Sequence, residues 1–290
     1  MSSSSKRELT TDLTRLIDLT ERFFSDIARI TKDERGVSRE SYGIGENLAI
    51  DYLINEARKL NLHVYTDEAA NVVFQIGEEM EGKHILTGSH MDSVPQGGNY
   101  DGLAGVIAGL TVLVDFVDNN IMPQVPLKVI ALRGEESAWY GRNYVGAKAL
   151  FGVLKETDLY AKHRDSGQLL IKAMGSIGAN VGEIAIGTKL IKSEDVSAFI
   201  ELHIEQGPVL VDRNWPVAIV TGIRGNIRHL NIRCIGAAGH SGAVPRWLRQ
   251  DAVFAAADLI SRMDDHWTTI LQHGGDLVLT SGIFHTDEQH

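Results

Sequence analysis

The spacing of apolar residues predicts helices and strands that alternate through most of the chain. Apolar positions at helical spacing predict an amphipathic helix over residues 6–30 and further helices over 46–60, 103–117 and 144–154. Short apolar runs bounded by charged or turn residues predict strands near 62–64, 72–76, 84–87, 126–132 and 198–203. The last three of these strands are expected to be buried.

Strands that alternate with helices are typical of an α/β fold, so we expect a mostly parallel sheet flanked by helices. Beyond residue 212 the pattern changes to strands at 217–220 and 228–235, a helix at 250–263 and a strand near 276–279. This order predicts a second, smaller α+β domain. We therefore divide the chain into residues 1–214 and 215–290, with the second domain expected to be incomplete.

Composition and charge narrow the possible functions. The chain has 38 acidic and 28 basic side chains and a formal net charge of −10, which argues against a nucleic-acid partner. The longest apolar run, residues 103–114, is shorter than the roughly 20 residues that a membrane span needs. Cys234 is the one cysteine, so no internal disulfide can form. We expect a soluble, cytoplasmic protein that acts on a small molecule, with no membrane partner.

Polar segments follow the three strands that are expected to be buried. His90 and Asp92 are two positions apart, so they share a face of an extended chain, and Asp92 could orient the imidazole of His90. Asp101 follows a glycine-rich turn at the start of the helix predicted over 103–117. Because ligands bind at the carboxyl ends of the strands in such sheets, these side chains are expected to converge.

The other two polar segments contain Glu135 with Glu136, and His203 with Gln206. Adjacent carboxylates directly after a buried strand repel each other at a position of low dielectric, which is costly unless they serve a function. Any one of the three segments, taken alone, is more often structural or solvated. Together they predict a metal site with nitrogen and oxygen ligands, of the kind that suits zinc or manganese.

Four runs of sequence resemble a known family: TGSHMDSVPQGGNYDGLAGVIAGL, EESAWYGRNYVGAKAL, ELHIEQGPVL and GAAGHSGAVPRWLRQDA. They are similar to the N-carbamoyl-L-amino acid hydrolase, β-ureidopropionase and allantoate amidohydrolase group, the hydantoinase/carbamoylase family of amidases. That group belongs to the clan of dinuclear-metal aminoacylases and carboxypeptidases. The resemblance spans residues 41–252 and implies a zinc-exopeptidase-like catalytic domain. It also implies a lid or dimerisation domain and a homodimer formed through it.

The resemblance implies a role for each residue of the polar segments. Two divalent metal ions, zinc or manganese, would be held by four ligands, which are His90, Asp101, Glu136 and His203. In this arrangement His90 and His203 bind one ion, Asp101 bridges both, and Glu136 belongs to the second. Glu135 would be the general base, and Gln206 would face the substrate.

His240 is similar in position to the histidine that stabilises the oxyanion in this family, where it is presented by the small domain. The alternative is a turn histidine without a catalytic part, because an oxyanion donor is recognised by geometry and not by spacing. Both interpretations of His240 stay open on the sequence alone.

The chain departs from the family pattern in two places. Residues 137–140 are Ser-Ala-Trp-Tyr, where Gly-Ser-Arg-Phe is commoner, and this leaves the substrate open. Members of the family also continue past the point where this sequence stops, and supply there a last histidine ligand and an arginine for the substrate carboxylate. The sequence is therefore expected to be truncated at its C-terminus.

The leading hypothesis is a metal-dependent amidohydrolase that cleaves the C–N bond of a linear N-carbamoyl (ureido) amino acid or an allantoate-like acid through a metal-bound hydroxide. One alternative is an aminoacylase or peptidase-like hydrolase of the same clan, and another is a catalytically silent, truncated homologue. The leading hypothesis requires the imidazoles of His90 and His203 to face a common point.

Overall fold

A computed structural model of the protein describes residues 11–78, 82–223, 225, 227–229 and 231–286. The chain divides into two compact units, Met1–Val209 and Leu210–His290. The helices of the first unit are α1 (Leu13–Ile30), α2 (Ile44–Lys59), α3 (Leu103–Asp118), α4 (Val145–Leu150), α5 (Glu156–Leu159), α6 (Leu170–Ser176) and α7 (Val181–Ala185). Its strands are β1 (Leu62–Thr66), β2 (Val72–Ile76), β3 (His84–His90), β4 (Leu127–Leu132) and β5 (Val196–Ile200). A short helix α8 (Val209–Asp212) lies at the boundary, and α9 (Ala252–Gln272) belongs to the second unit.

The five strands form one mixed sheet in the order β1-β2-β4-β3-β5. β3 pairs in parallel with both β4 and β5, whereas β1–β2 and β2–β4 are antiparallel. The α/β class with flanking helices is confirmed, and the sheet is mixed because β2 runs opposite to the other four strands. The reason is the short turn between β1 and β2, in which the Asp67 carboxylate accepts the backbone N–H groups of Ala69 and Asn71 and closes a hairpin.

Both faces of the sheet are covered. On one face Val72, Phe74 and Val129 pack in a core cluster with α1, α2 and α3. The neighbouring positions Val73 and Ile130 point to the other face, where they pack with side chains that include Leu150 of α4. Among the helices of the described ranges, none has both the length and the apolar character to cross a bilayer.

Several element boundaries differ from those predicted. Helix α1 begins at Leu13, where the Asp12 side chain caps it by accepting the Arg15 N–H at 3.1 Å, and residues 6–10 of the predicted helix lie outside the described residues. Helix α4 is shorter than the predicted 144–154, because Tyr144 precedes it in a left-handed conformation and Gly152 follows it at φ 65°.

Strand β5 was expected to be buried, and this expectation was wrong. Among the described strands it lies at the edge of the sheet and pairs with β3 alone, so Phe199 and Ile200 are 48% and 59% exposed. The strand also ends at Ile200, earlier than the predicted residue 203. The segment with His203 therefore follows the carboxyl end of the strand and does not form part of the ladder.

In the second unit the predicted helix is present as α9, and the Asp251 side chain caps it by accepting the N–H groups of Val253 and Phe254. The strands predicted at 217–220, 228–235 and 276–279 are not formed at the positions that the structure describes; residue 230 lies outside them. A strand needs a partner to bond its backbone groups, and the described residues of this unit supply none. A second α+β domain is therefore not shown, and its role as a lid stays a prediction.

Gly88 lies in β3 at a point where the backbone of the neighbouring strand β4 comes very close. Its φ is 134°, and a Cβ there would lie 2.0 Å from the Ile130 carbonyl oxygen of β4. We expect Gly88→Ala to lower the free energy of unfolding by about 2–4 kcal/mol, through backbone strain and the clash together. Urea unfolding measures this.

Gly77→Ala is the matched control, because Gly77 also has positive φ, 68°, but no atom of the described residues lies within 4 Å of the position that a Cβ would take. The control should lose only the strain contribution, about 1 kcal/mol. Equal losses in the two variants would contradict the close approach of β3 to β4.

Candidate metal centre

The predicted site residues meet at the carboxyl ends of three neighbouring parallel strands. His90 is the last residue of β3, the central strand of the three. Glu135 and Glu136 follow β4, and His203 follows β5, the strands on either side of β3. The order β4-β3-β5 therefore brings together three segments that are distant in sequence, as expected for the ligand edge of a parallel sheet.

Three donor atoms surround a common point. His90 Nε2 lies 3.6 Å from Asp101 Oδ1, His203 Nε2 lies 3.3 Å from the same oxygen, and the two imidazole nitrogens are 3.5 Å apart. Ligands about 2.0–2.1 Å from a tetrahedral zinc ion lie about 3.4 Å from one another. The triangle of His90, Asp101 and His203 thus has the dimensions of a coordination face, and the requirement that the two imidazoles face each other is met.

The second nitrogen of each imidazole is held by a backbone carbonyl. His90 Nδ1 lies 2.9 Å from the Asp92 carbonyl oxygen, and His203 Nδ1 lies 2.8 Å from that of Ile204. A carbonyl can only accept, so each Nδ1 donates its proton, and Nε2 is the nitrogen whose lone pair can bind a metal when the imidazole is neutral. The Asp92 carboxylate, expected to orient His90, lies farther from Nδ1, at 3.4 Å.

Asp101 provides the observation that tests whether a cation fits. Its Oδ1 is buried and has no hydrogen-bond partner among the described residues, although it faces two imidazole nitrogens. Its Oδ2 accepts the Gln206 amide N–H at 2.6 Å. A buried carboxylate oxygen without a partner is costly in a folded protein, and a cation between Oδ1 and the two imidazoles would satisfy it.

Gly102 allows Asp101 to approach His90. Its φ is 65°, and a Cβ there would lie 2.5 Å from the His90 ring and from the His90 carbonyl oxygen. Only glycine fits this position without displacing the imidazole, so the glycine-rich turn before α3 has a geometric purpose.

Asp92 binds the segment that carries the two glutamates. Its two carboxylate oxygens accept the backbone N–H groups of Glu135 at 2.9 Å and Glu136 at 3.0 Å, and one of them also accepts the Ser41 hydroxyl. The side chains of Glu135 and Glu136 form a second potential metal-binding group with His90, in which the donor atoms lie within 4.8 Å of one another. Asp92 therefore joins the end of β3 to the segment after β4.

The centre concentrates negative charge in a partly buried space. Burial, and then the neighbouring charge of Glu135, raise the pKa of Glu136 to about 7, and burial also raises the pKa of Glu135. Burial alone would lower the pKa of His90, but the neighbouring carboxylates of Asp101 and Asp92 outweigh it and raise the pKa to about 11. A cluster that stabilises positive charge this strongly is suited to a divalent cation, which would compete with the proton for the imidazole.

One feature that the sequence did not predict is a buried ion pair next to the segment that carries Glu135 and Glu136. Glu46 of α2 is fully buried and accepts the Arg133 guanidinium at 2.7 Å and the Gly134 N–H at 3.1 Å. The sequence did contain a signal for this pair, because Arg133 directly follows a buried strand and an arginine in such a position requires a nearby anion. Arg39, in the segment between α1 and α2, was also missed and is likewise fully buried.

His240 lies in the second unit, where its Nδ1 accepts the Gly242 N–H at 3.1 Å and its side chain is exposed. This turn is compatible with both interpretations of His240, and its contribution to an oxyanion site stays a prediction.

An α/β sheet with imidazole and carboxylate donors at the carboxyl ends of its parallel strands is the arrangement of a metal-binding α/β protein. Residues 86–277 match the peptidase family M20/M25/M40. The chain belongs to this family.

Individual relatives refine this assignment. The chain is 35% identical over 231 residues to an N-carbamoyl-L-amino acid amidohydrolase of Geobacillus stearothermophilus, covering 79% of this chain and 56% of the relative. It is 31% identical to allantoate deiminase 1 of Glycine max over 216 residues, which are 73% of this chain and 44% of the relative.

A similar fold occurs in a hydantoinase/carbamoylase family amidase from Burkholderia ambifaria. The TM-score is 0.69 at 29% identity, and the match covers 89% of this chain and 60% of that one. The family predicted from the sequence motifs is therefore confirmed. The chain spans between two fifths and two thirds of the length of these relatives.

Proposed function

We propose that the protein is a metal-dependent amidohydrolase that cleaves the C–N bond of a linear N-carbamoyl amino acid or an allantoate-like acid. The observation that carries the proposal is the buried Asp101 Oδ1, which faces the Nε2 atoms of His90 and His203 and has no hydrogen-bond partner in the described part of the chain. The substrate class is suggested by relatives that are N-carbamoyl-L-amino acid amidohydrolases and allantoate deiminases.

Two divalent cations, zinc or manganese, are the proposed cofactors. His90, Asp101 and His203 would hold one of them, and Glu136, which groups with His90 and Glu135, would contribute to the second. The family resemblance implies that Asp101 would be a ligand shared by both. When bound, such cations polarise a carbonyl group and lower the pKa of a water molecule.

Glu135 is the proposed general base. A ureido carbonyl is a weak electrophile because both of its nitrogens donate electrons to it, so the attacking water must lose a proton. A Glu135 carboxylate oxygen would accept that proton and return it to the departing nitrogen, which then leaves as a neutral amine. Burial, which raises the pKa of Glu135, favours this exchange, and the hydrogen bond from its N–H to Asp92 holds its backbone in place. The carbamate that forms decomposes to carbon dioxide and ammonia.

The remaining roles follow the same proposal. Gln206 would lie beside the substrate while its amide binds Asp101, and His240 would stabilise the oxyanion. We also propose a homodimer formed through the second unit and a cytoplasmic location for the protein.

The family match itself favours a second candidate, because the family is named for peptidases. An aminoacylase or a dipeptidase could use the same donors, with an acyl carbon in place of the carbamoyl carbon. A third candidate is a catalytically silent homologue, which would retain no divalent metal and turn over no substrate.

Turnover by the purified, metal-loaded protein tests the proposal. Ammonia release from N-carbamoyl amino acids and allantoate is compared with cleavage of N-acetyl amino acids and dipeptides. We expect the highest kcat/KM for a carbamoyl or allantoate substrate. Higher kcat/KM for acetyl substrates or dipeptides would replace the proposal by the second candidate. A chain that retains no divalent metal under saturating zinc or manganese and turns over none of the substrates would indicate the silent homologue.

A further inference from the structure

Arg39 is a buried cation whose side chain bonds to backbone instead of to carboxylates. It is 0% exposed, its Nε donates to the Met91 carbonyl at 2.7 Å, and its Nη2 donates to the Asp101 carbonyl at 3.1 Å. Its Nη1 makes a longer contact, 3.5 Å, with the Gly98 carbonyl. The three acceptors are all carbonyls of the segment that runs from the end of β3 to the start of α3.

The main chain of Arg39 is also tied to this segment. Its N–H donates to the Ser93 hydroxyl at 3.0 Å, and its carbonyl accepts the Ser93 N–H at 2.8 Å. The side chain of Arg39 therefore bonds the two ends of the segment, at Met91 and Asp101, and its backbone bonds Ser93 near the start. Burying a guanidinium costs several kcal/mol unless its environment compensates, so an arginine in this position requires a specific geometric explanation.

The two shortest guanidinium bonds end beside the proposed ligands. Met91 directly follows His90, and the other carbonyl is that of Asp101 itself. A guanidinium is planar and holds its donors in a fixed fork, so it sets the separation of the two carbonyls that it binds. Nine residues separate Met91 from Asp101 in the chain. The guanidinium therefore holds the two ends of this loop at a fixed distance.

We propose that Arg39 is a positioning residue that holds His90 and Asp101 at the separation required to bind one cation. The inference rests on the proposed metal function and adds to it a residue that does not touch the metal. The inference depends on the two hydrogen bonds that the guanidinium donates, because the positive charge of Arg39 by itself would weaken the binding of a cation.

Charge and geometry predict opposite results for the loss of Arg39. Asp92 and Asp101 are among the anions that interact with the guanidinium. A positive charge beside these carboxylates repels a cation, so its removal alone would tighten metal binding. Loss of the fork would instead allow the two ligands to separate and would weaken metal binding.

The experiment measures metal affinity directly, without an activity assay. The chelator-stripped chain and its Arg39→Lys and Arg39→Met variants are titrated with Zn²⁺ against a chromophoric chelator and with Co²⁺, whose visible absorption reports ligand geometry. We expect both variants to bind about 10–100-fold more weakly, as substitutions around metal ligands do, with a changed Co²⁺ spectrum. Lysine keeps the charge, but its single ammonium does not provide the planar fork.

Arg22→Met is the matched control. Arg22 bonds Glu56 at 2.6 Å between α1 and α2 and contacts none of the proposed ligands, so its loss should change stability without changing metal affinity. Far-UV circular dichroism of each stripped variant verifies the fold, and Arg39→Lys decides the result if Arg39→Met does not fold.

The inference is overturned if Arg39→Met binds Zn²⁺ as tightly as the parent chain or more tightly. It is also overturned if Arg39→Lys keeps the parent affinity and Co²⁺ spectrum. Failure of the parent chain itself to bind either metal would be a different result, because it would remove the proposed function on which the inference rests.

Discussion

Asp101→Asn is expected to reduce the affinity of the chain for Zn²⁺ by more than the roughly 100-fold that substitutions around metal ligands cost. The substitution keeps the shape of the side chain but removes its negative charge. Oδ1 of Asp101 lies 3.6 Å and 3.3 Å from the two imidazole nitrogens, and no described residue hydrogen-bonds to it, so its charge is available to a cation. Competition with a chromophoric chelator measures the affinity, and elemental analysis measures the metal content.

Asp115→Asn is the control for this substitution. Asp115 lies in the same helix, α3, as the residues that follow Asp101, and it accepts the Thr11 hydroxyl at 3.1 Å, outside the metal centre. Its removal should leave Zn²⁺ affinity unchanged. Retention of the parent affinity by Asp101→Asn would show that the carboxylate is structural, and the Gln206 amide bonded to Oδ2 would then be its main partner.

Glu135→Gln is expected to lower kcat by about 10²–10⁴, the usual contribution of a general base, while the metal content stays at the parent level. Glutamine fills the same space but cannot accept the proton of the attacking water. Because the backbone N–H of Glu135 donates to Asp92, the substitution leaves the path of the chain intact. Steady-state kinetics on an N-carbamoyl amino acid and elemental analysis of the same sample provide the two measurements.

Glu136→Gln is a closely matched comparison, since Glu136 is the next residue, donates its own N–H to Asp92, and belongs with Glu135 and His90 to one potential ligand group. It should lower the metal content itself. If Glu135→Gln lost metal and Glu136→Gln kept it, the two proposed roles would be exchanged. If the two variants had the same metal content and the same kcat as each other, both proposed roles, general base for Glu135 and metal ligand for Glu136, would be contradicted.

The motifs predicted which residues could act as metal donors, because ligand chemistry belongs to residue types. Imidazole and carboxylate groups that follow apolar runs can be read from the chain, and His90, Asp101 and His203 do lie together. The α/β class was also predictable, since the period of the apolar positions is a local property. Metal roles for these residues are proposals that the titrations above test.

The sheet pairing was less predictable. Whether neighbouring strands run parallel depends on which segments pair, and pairing joins residues far apart in the chain. The hairpin of β1 and β2 made the sheet mixed, and the edge position of β5 left Phe199 and Ile200 exposed. In the second unit, apolar runs that favoured strands are not in strands at the described positions, because a strand is stabilised by a partner and not by its own sequence.

The sequence by itself determined which side chains could bind a metal and that they follow strands of an α/β sheet. The tertiary structure decided how these side chains are held. It placed the Asp92 carboxylate on the backbone of Glu135 and Glu136, and the Arg39 guanidinium on the carbonyls of Met91 and Asp101. The physical reason is that side-chain chemistry is local, whereas hydrogen bonds between distant segments exist only after the chain has folded.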